Sequence, residues 1–218
     1  MDLALPQVIV IDTTEGGWFS SGIDCKCYQR FMSEYEKLDD SLPLTIKITS
    51  TGGNVFYTLL IANAVAKYPH HTTAEISRYA MSGATVIALM CDTIKMTSTA
   101  CLGPIDLQMT LPVKAVLPTV AKWKESSFIC GIVHDVFNGF QTDYLQNLRA
   151  TLKLKWDDAV IEKIISYFYD RFQHDTPIFA HNILDTECGL DVVVDEGLGH
   201  DTKPEDGSGN FLSRIMGG

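Results

Sequence analysis

Short apolar runs alternate with longer stretches of helical periodicity through the first half of the chain. The runs at 7–12 (QVIVID), 44–49 (LTIKIT), 74–79 (AEISRY) and 93–97 (TIKMT) have the length of buried strands. Between them, 24–38 repeats apolar positions at Cys27, Phe31, Tyr35 and Leu38. The stretches 55–68 (VFYTLLIANAVAKY) and 82–91 (SGATVIALMC) read as two further helices, the second apolar enough to be buried. Strands alternating with helices of this length predict right-handed βαβ crossovers. The expected class is therefore α/β, with a largely parallel sheet covered on both faces.

After LGPID (102–106) the pattern turns helical, through 113–124, 127–150 and 157–172. GLDVVVDEG (189–197) reads as a returning edge strand or tail, and KPEDGSGN (203–210) is rich in turn residues. We expect one domain over 1–200, with a helical C-terminal region, and a flexible tail over 201–218. No internal repeat is visible.

Composition narrows the function classes. With 46% hydrophobic and 20% charged residues the chain has ordinary globular usage. A formal net charge of −10, without a Lys/Arg-rich run, repels nucleic acid and disfavours an anionic membrane surface. Six scattered cysteines lack zinc-ligand spacing and sit mostly in apolar runs, so they read as free thiols in a reducing compartment, with no metal and no cofactor called for. MDLALPQVIVID has no basic n-region and reads as a first strand rather than a signal peptide. No apolar stretch approaches the roughly 20 residues of a membrane span. The expected location is the cytoplasm.

Two turns carry the chemistry. Gly52-Gly53, in STGGN, follows one strand and precedes a helix; Ser82-Gly83, in RYAMSGAT, does the same about thirty residues later. Ser82 could be no more than an N-cap, with Gly83 allowing helix–sheet packing. Consecutive turns of this kind can also lie side by side at the C-terminal edge of a sheet, where open α/β folds bind ligands. The N–H groups of Gly53 and Gly83 could then point at one oxygen. The patterns G-x-S-x-G and G-x-G-x-x-G are both absent.

In order and spacing, STGGNVFYTLLIANAVAKYP, RYAMSGATVIALMCDTIKM and ACLGPIDLQM resemble the ClpP/crotonase superfamily, most closely its serine dehydrogenase proteinase and signal-peptide-peptidase A branch. The resemblance covers about 7–110, with a weaker echo at 174–192. It implies a spiral of ββα units that assembles into homo-oligomers. It also implies a serine peptidase with Ser82 as nucleophile and Gly53 and Gly83 as oxyanion hole. Gly52 and Asn54 at the first turn, and Asp106 after the glycine–proline turn, are expected along the substrate groove. The substrate would be a short or unfolded polypeptide, added as a strand beside the glycine turn. Partner classes that could deliver it are an ATPase or a membrane protein.

The group that activates Ser82 stays open. The ClpP pattern puts a histidine about twenty-five residues after the serine, where this chain has DLQMT, although Asp175 falls near that pattern's acid. The signal-peptide-peptidase branch uses a lysine some forty to fifty residues on. Lys124 and Lys122 stand in that interval, with Lys114 slightly early, and either would need desolvation to act as a base. His134 and His174 are the alternative bases; His70 and His71 follow a turn and read as exposed. Two rival functions remain: a catalytically inactive ClpP-like scaffold or peptide-binding protein, and a crotonase-type acyl-CoA enzyme, for which no basic cluster suited to the CoA phosphates is present.

Overall fold

The computed structural model describes residues 7–14, 22–106, 127–172, 176–184 and 188–198, with residues 127–136 described by their backbone. Strands β1 (Gln7–Asp12), β2 (Leu44–Thr49), β3 (Thr72–Ile76), β5 (Thr93–Met96) and β8 (Asp191–Val194) form one parallel sheet in the order β1-β2-β3-β5-β8. Helices α1 (Cys25–Tyr35), α2 (Val55–Ala66) and α3 (Gly83–Leu89) connect the first four. The fold is α/β, and the 189–197 segment supplies the edge strand β8.

Each of the first four strands of the large sheet leads into a short piece of a second layer. Strand β3 is followed by β4 (Tyr79–Ala80) and β5 by β6 (Cys101–Leu102). Strand β4 pairs parallel with β6, and β6 antiparallel with β7 (Ile178–Phe179). Single parallel bridges Ile23–Gly53 and Ser50–Ala80 continue the row from the first two units. The chain is thus built of strand, short strand, helix, repeated. The predicted strand over 74–79 is two strands in two sheets, because the chain bends at Ser77-Arg78 and crosses from one layer to the other.

Local sequence sets the helix starts. The Asp24 carboxylate accepts the Cys27 N–H at 2.8 Å, and the Asn54 side chain accepts the Phe56 N–H at 2.9 Å. A long helix α4 (Ser127–Leu152) and a short one, α5 (Asp158–Ile165), follow, with Asp157 capping the second through the Val160 N–H. A π-helical turn over Ser166–Asp170 extends α5, and a short α6 (Ala180–Leu184) precedes β8. The predicted helix at 113–124 and the tail over 201–218 lie outside the described residues. No described helix is long and apolar enough to cross a membrane.

Among the described residues the sheet packs its helices α1 to α3 against one face. Ile9, Ile11, Ile46, Ile48, Ile76 and Met96 point inward and are fully buried with Phe31, Ile61, Val65 and Ile87. Burying each such side chain contributes about 2 kcal/mol. On the other face Val8, Val10, Lys47, Thr49, Glu75 and Lys95 are exposed or half-buried, while Thr45, Thr73 and Thr93 are buried. The shared side of α1 to α3 follows from handedness: right-handed crossovers that all step in one direction, from β1 through β2 and β3 to β5, place their helices on the same side.

A polar clasp ties the α4–α5 junction to the sheet at the end remote from the turns that follow the strands. The Asp92 carboxylate accepts the Thr72 N–H at 2.8 Å and its hydroxyl at 2.9 Å, and pairs with Lys155. Next to it, Trp156 Nε1 donates to the Leu89 carbonyl at 2.8 Å, closing the end of α3. Burial alone would push the Asp92 carboxyl up; the bonds from Lys155 and Thr72 outweigh it and hold the group below the usual aspartate range. Such a carboxyl stabilises the fold above its ordinary value and loses that contribution as pH falls through the lowered one. Asp92→Asn is therefore expected to cost about 1–2 kcal/mol at neutral pH. Urea denaturation at a series of pH values should show the gap between wild type and variant starting to close only below about pH 4 and vanishing at still lower pH.

Candidate active site

The two glycine turns meet. Gly52 has φ +94°, and a Cβ built on it would lie 2.8 Å from the Met81 carbonyl oxygen and 2.9 Å from the Gly83 nitrogen. Such contacts leave room only for glycine. The backbone is locked on both sides of this approach: Met81 N–H donates to the Ser50 carbonyl at 2.9 Å, and Ser50 N–H to the Tyr79 carbonyl at 3.1 Å. Ser50 is fully buried, and its hydroxyl accepts the Gly52 N–H at 3.1 Å.

Gly53 is held from the other side. Ile23 N–H donates to the Gly52 carbonyl at 2.7 Å and Asn54 N–H to the Ile23 carbonyl at 2.8 Å, so the pairing brackets Gly53 and leaves its own N–H out. Asn54 uses its side chain to cap α2 and is not among the residues lining the cleft described below.

Ser82 stands at the N-cap position of α3 with φ +50° and ψ −119°. It is the one non-glycine residue with positive φ among the described residues. Its side chain makes no capping hydrogen bond, so the simple N-cap reading does not account for it. A conformation of this kind costs about 1–3 kcal/mol, and it persists only where the surroundings impose it. Here Ala84 N–H bonds back to the Met81 carbonyl at 2.9 Å. The buried Thr85 hydroxyl donates to the Ala80 carbonyl at 2.7 Å and accepts the Gly103 N–H at 3.1 Å.

Gly53, Ser82, Gly83 and Asp106 line one cavity of about 50 Å³. Its remaining walls are Val55, Thr58 and Leu59 from α2, Val86 from α3 and Tyr144 from α4. Tyr144 is buried and donates its hydroxyl to the Ile105 carbonyl, while Ile105 N–H donates to the Phe168 carbonyl of the π-helical turn at 3.0 Å. Both polar groups of Ile105 are thereby gripped, which sets Asp106 at the cleft. Burial pushes the Tyr144 phenol above its ordinary range, and the charges of Tyr169 and Asp106 add to the rise.

Sequence reasoning found the turns and missed the walls. Val55, Thr58 and Leu59 share a face of α2 by helical spacing, and a threonine within that apolar stripe was the available signal. Tyr144 comes from a distant helix and carried none. Of the expected bases, Lys122, Lys124, Lys114 and His174 lie outside the described residues, as does Asp175. His134 is placed in α4 by its backbone. His71 is exposed and lies 3.1 Å from the Thr93 hydroxyl, before β3 and away from Ser82. Burial pushes the Cys91 thiol up to about 12, which keeps it neutral and inert.

Thr58 Oγ1 is buried without a hydrogen-bond partner. An unmet hydroxyl costs about 1–3 kcal/mol. Thr58→Val keeps the shape and removes the unmet group, so we expect it to stabilise the protein by about 1 kcal/mol in urea denaturation; a loss of stability would mean that the hydroxyl is satisfied in the folded protein.

A family model for ClpP-like SDH-type serine proteinases matches residues 29–197. Two uncharacterised proteins of Methanocaldococcus jannaschii are similar to the chain. One is 30% identical over 158 residues, covering 69% of this chain and 53% of that protein; the other is 37% identical over 156 residues, covering 70% and 53%. The chain thus spans about half the length of the curated relatives it matches. Among solved structures, a mutant of the 1510-N membrane-bound stomatin-specific protease shares the fold with a TM-score of 0.51. That likeness has 13% identity and covers 89% of this chain and 83% of the other.

Proposed function

Because the chain belongs to the family of ClpP-like SDH-type serine proteinases, we propose that it hydrolyses peptide bonds through an acyl-enzyme on Ser82. The observation that carries this reading is the strained Ser82, imposed beside two glycines in one cleft. Strain at a single non-glycine residue is a cost that a passive scaffold has no use for.

In this mechanism Ser82 Oγ attacks the substrate carbonyl as its proton passes to a base. The developing oxyanion is held by the N–H groups of Gly53 and Gly83. The tetrahedral intermediate collapses with loss of the amine, which takes that proton, and water then hydrolyses the ester by the same route. A lysine base, Lys124 or Lys122, fits the family resemblance; His134 and His174 are the alternatives. A lysine would need burial to lower its pKa, and assembly into a homo-oligomer is one way to supply that burial. Substrates are short or unfolded polypeptides, read by backbone pairing beside Gly52-Gly53.

The test is a fluorophosphonate probe with intact-mass analysis and peptide mapping. A single adduct on Ser82, absent from Ser82→Ala, is expected. A folded sample that takes up no probe, or takes it up elsewhere, would sink the assignment.

A further inference from the structure

Residues 80–85 close a loop around Ser82. Ala80 ends β4, and Thr85 stands in the first turn of α3. Two hydrogen bonds span the gap between them: Ala84 N–H donates to the Met81 carbonyl at 2.9 Å, and the Thr85 hydroxyl to the Ala80 carbonyl at 2.7 Å. The second is not the bond a helical threonine usually makes. Such a hydroxyl turns to the carbonyl three or four residues back, which here belongs to Ser82 or Met81. Thr85 reaches past the nucleophile to the strand on its other side. The same hydroxyl accepts the Gly103 N–H at 3.1 Å and lies 2.9 Å from the Gly103 carbonyl oxygen, just after β6, the strand that pairs with β4. Thr85 is fully buried, so no water stands in for these bonds. The Met81 side chain is anchored at the same place, since a Cβ built on Gly103 would lie 2.8 Å from its Cε and 2.9 Å from its Sδ.

We infer that Thr85 is a positioning residue for the reaction: by tying α3 to β4 across Ser82, its hydroxyl holds the nucleophile in the backbone conformation from which it attacks. The inference rests on the reading of Ser82 as nucleophile. A torsion inside a closed loop cannot turn alone. For φ of Ser82 to leave +50° for the region an L residue prefers, the first turn of α3 must rotate against β4, and that rotation pulls Thr85 away from Ala80. Movement toward the other turn is barred, because Gly52 packs so closely that a Cβ built on it would stand 2.8 Å from the Ser82 Cβ. Removing the hydroxyl alone leaves the pairing of the second layer in place, since Gly103 N–H also donates directly to the Ala80 carbonyl at 3.2 Å. What goes is the hold on Ser82. Once relaxed, Oγ is displaced from the carbonyl held by Gly53 and Gly83, and a misplacement of about 1 Å can slow a reaction about a hundredfold. Backbone pairing of the substrate beside Gly52-Gly53 does not involve Thr85, so the loss falls on the chemical step.

Two measurements on the full chain test this. Thr85→Val removes the hydroxyl and keeps the shape, whereas Thr85→Ser keeps the hydroxyl. The first measurement needs no activity: urea midpoints are compared for Ser82→Gly, Thr85→Val and the double variant. Ser82→Gly should raise the midpoint in the wild-type background and in Thr85→Ser, and give no rise in Thr85→Val, where Ser82 has already relaxed. The same rise in every background, as from a threonine that only satisfies buried groups, overturns the proposal, and so does no rise in the wild type. The second measurement is turnover of an unfolded labelled protein. Thr85→Val should lower kcat by about tenfold to a hundredfold with KM unchanged, and Thr85→Ser should keep most of the wild-type rate. An equal loss in both variants, or a loss confined to KM, also overturns it. Should the valine variant not fold, Thr85→Cys, with a weaker donor of similar size, replaces it in both comparisons. A midpoint rise that depends on Thr85, in a protein that takes up no fluorophosphonate, upholds the hold on Ser82 and sinks the nucleophile reading; labelling at Ser82 with an undiminished rise in Thr85→Val does the reverse.

Discussion

Ser82→Gly is expected to abolish peptide-bond hydrolysis and at the same time to stabilise the folded protein. The loss should be about 10⁴-fold or more, the scale found when a serine nucleophile is removed. Only binding and oxyanion contacts would be left to act on water. The gain has a separate cause. Ser82 pays for a backbone at φ +50°, ψ −119° that glycine adopts without a steric penalty. Against about 1–3 kcal/mol of relieved strain stands about 0.5–1 kcal/mol of extra chain entropy lost on folding. The net expectation is a stabilisation of about 1 kcal/mol. No capping bond is lost, because the Ser82 side chain makes none. Ser82→Ala is the control: it should be equally inactive, without the gain, since alanine keeps the strained Cβ. Turnover of an unfolded labelled protein and urea midpoints measure both effects. An active glycine variant would end the nucleophile assignment, and a destabilised one would show that the turn is not strained.

Gly53→Ala should be the most damaging single methyl group in the described part of the chain. A Cβ there would stand 2.3 Å from the Ile23 nitrogen and 2.5 Å from its carbonyl oxygen, at φ +156°. Both obstacles are backbone, so no side-chain rotation relieves them. The bridge that holds Ile23 against the turn must open, and with it the position of the Gly53 N–H. Overpacking and backbone strain together predict a loss of about 3 kcal/mol or more, with loss of fluorophosphonate labelling. Gly139 offers the contrast, since a Cβ on this glycine of α4 meets nothing within 4 Å. Gly139→Ala should instead stabilise by about 0.5–1 kcal/mol through helix propensity. Chemical denaturation of the two variants side by side decides it; a Gly53→Ala protein that unfolds like wild type would mean that the turn tolerates a side chain and that the close approach is incidental.

The elements of the first hundred residues were legible because their signals are local. The isoleucines of LTIKIT alternate at the strand period, and the apolar face of VFYTLLIANAV repeats at the helix period; both are properties of neighbouring residues. The positions of the two turns could be read for the same reason, as glycines or Ser-Gly between a strand and a helix. The split of 74–79 was hidden, because a run of apolar and polar residues does not record a bend that exchanges one sheet for another. The side on which α1 to α3 pack was hidden too, since periodicity predicts a buried face without saying which side each helix takes.

What the sequence by itself determined is an α/β chain with a serine and three glycines at the ends of two successive units. Only the tertiary structure decided that those ends touch, that Ser82 is held in a conformation an L residue avoids, and that Thr58 and Tyr144 close the same cavity. The physical reason is distance along the chain. Gly52 meets Gly83, and Tyr144 meets Ile105, through contacts between residues thirty or more positions apart. Such contacts follow from how layers pack and which backbone groups they leave to be bonded, and no window of neighbouring residues contains that information.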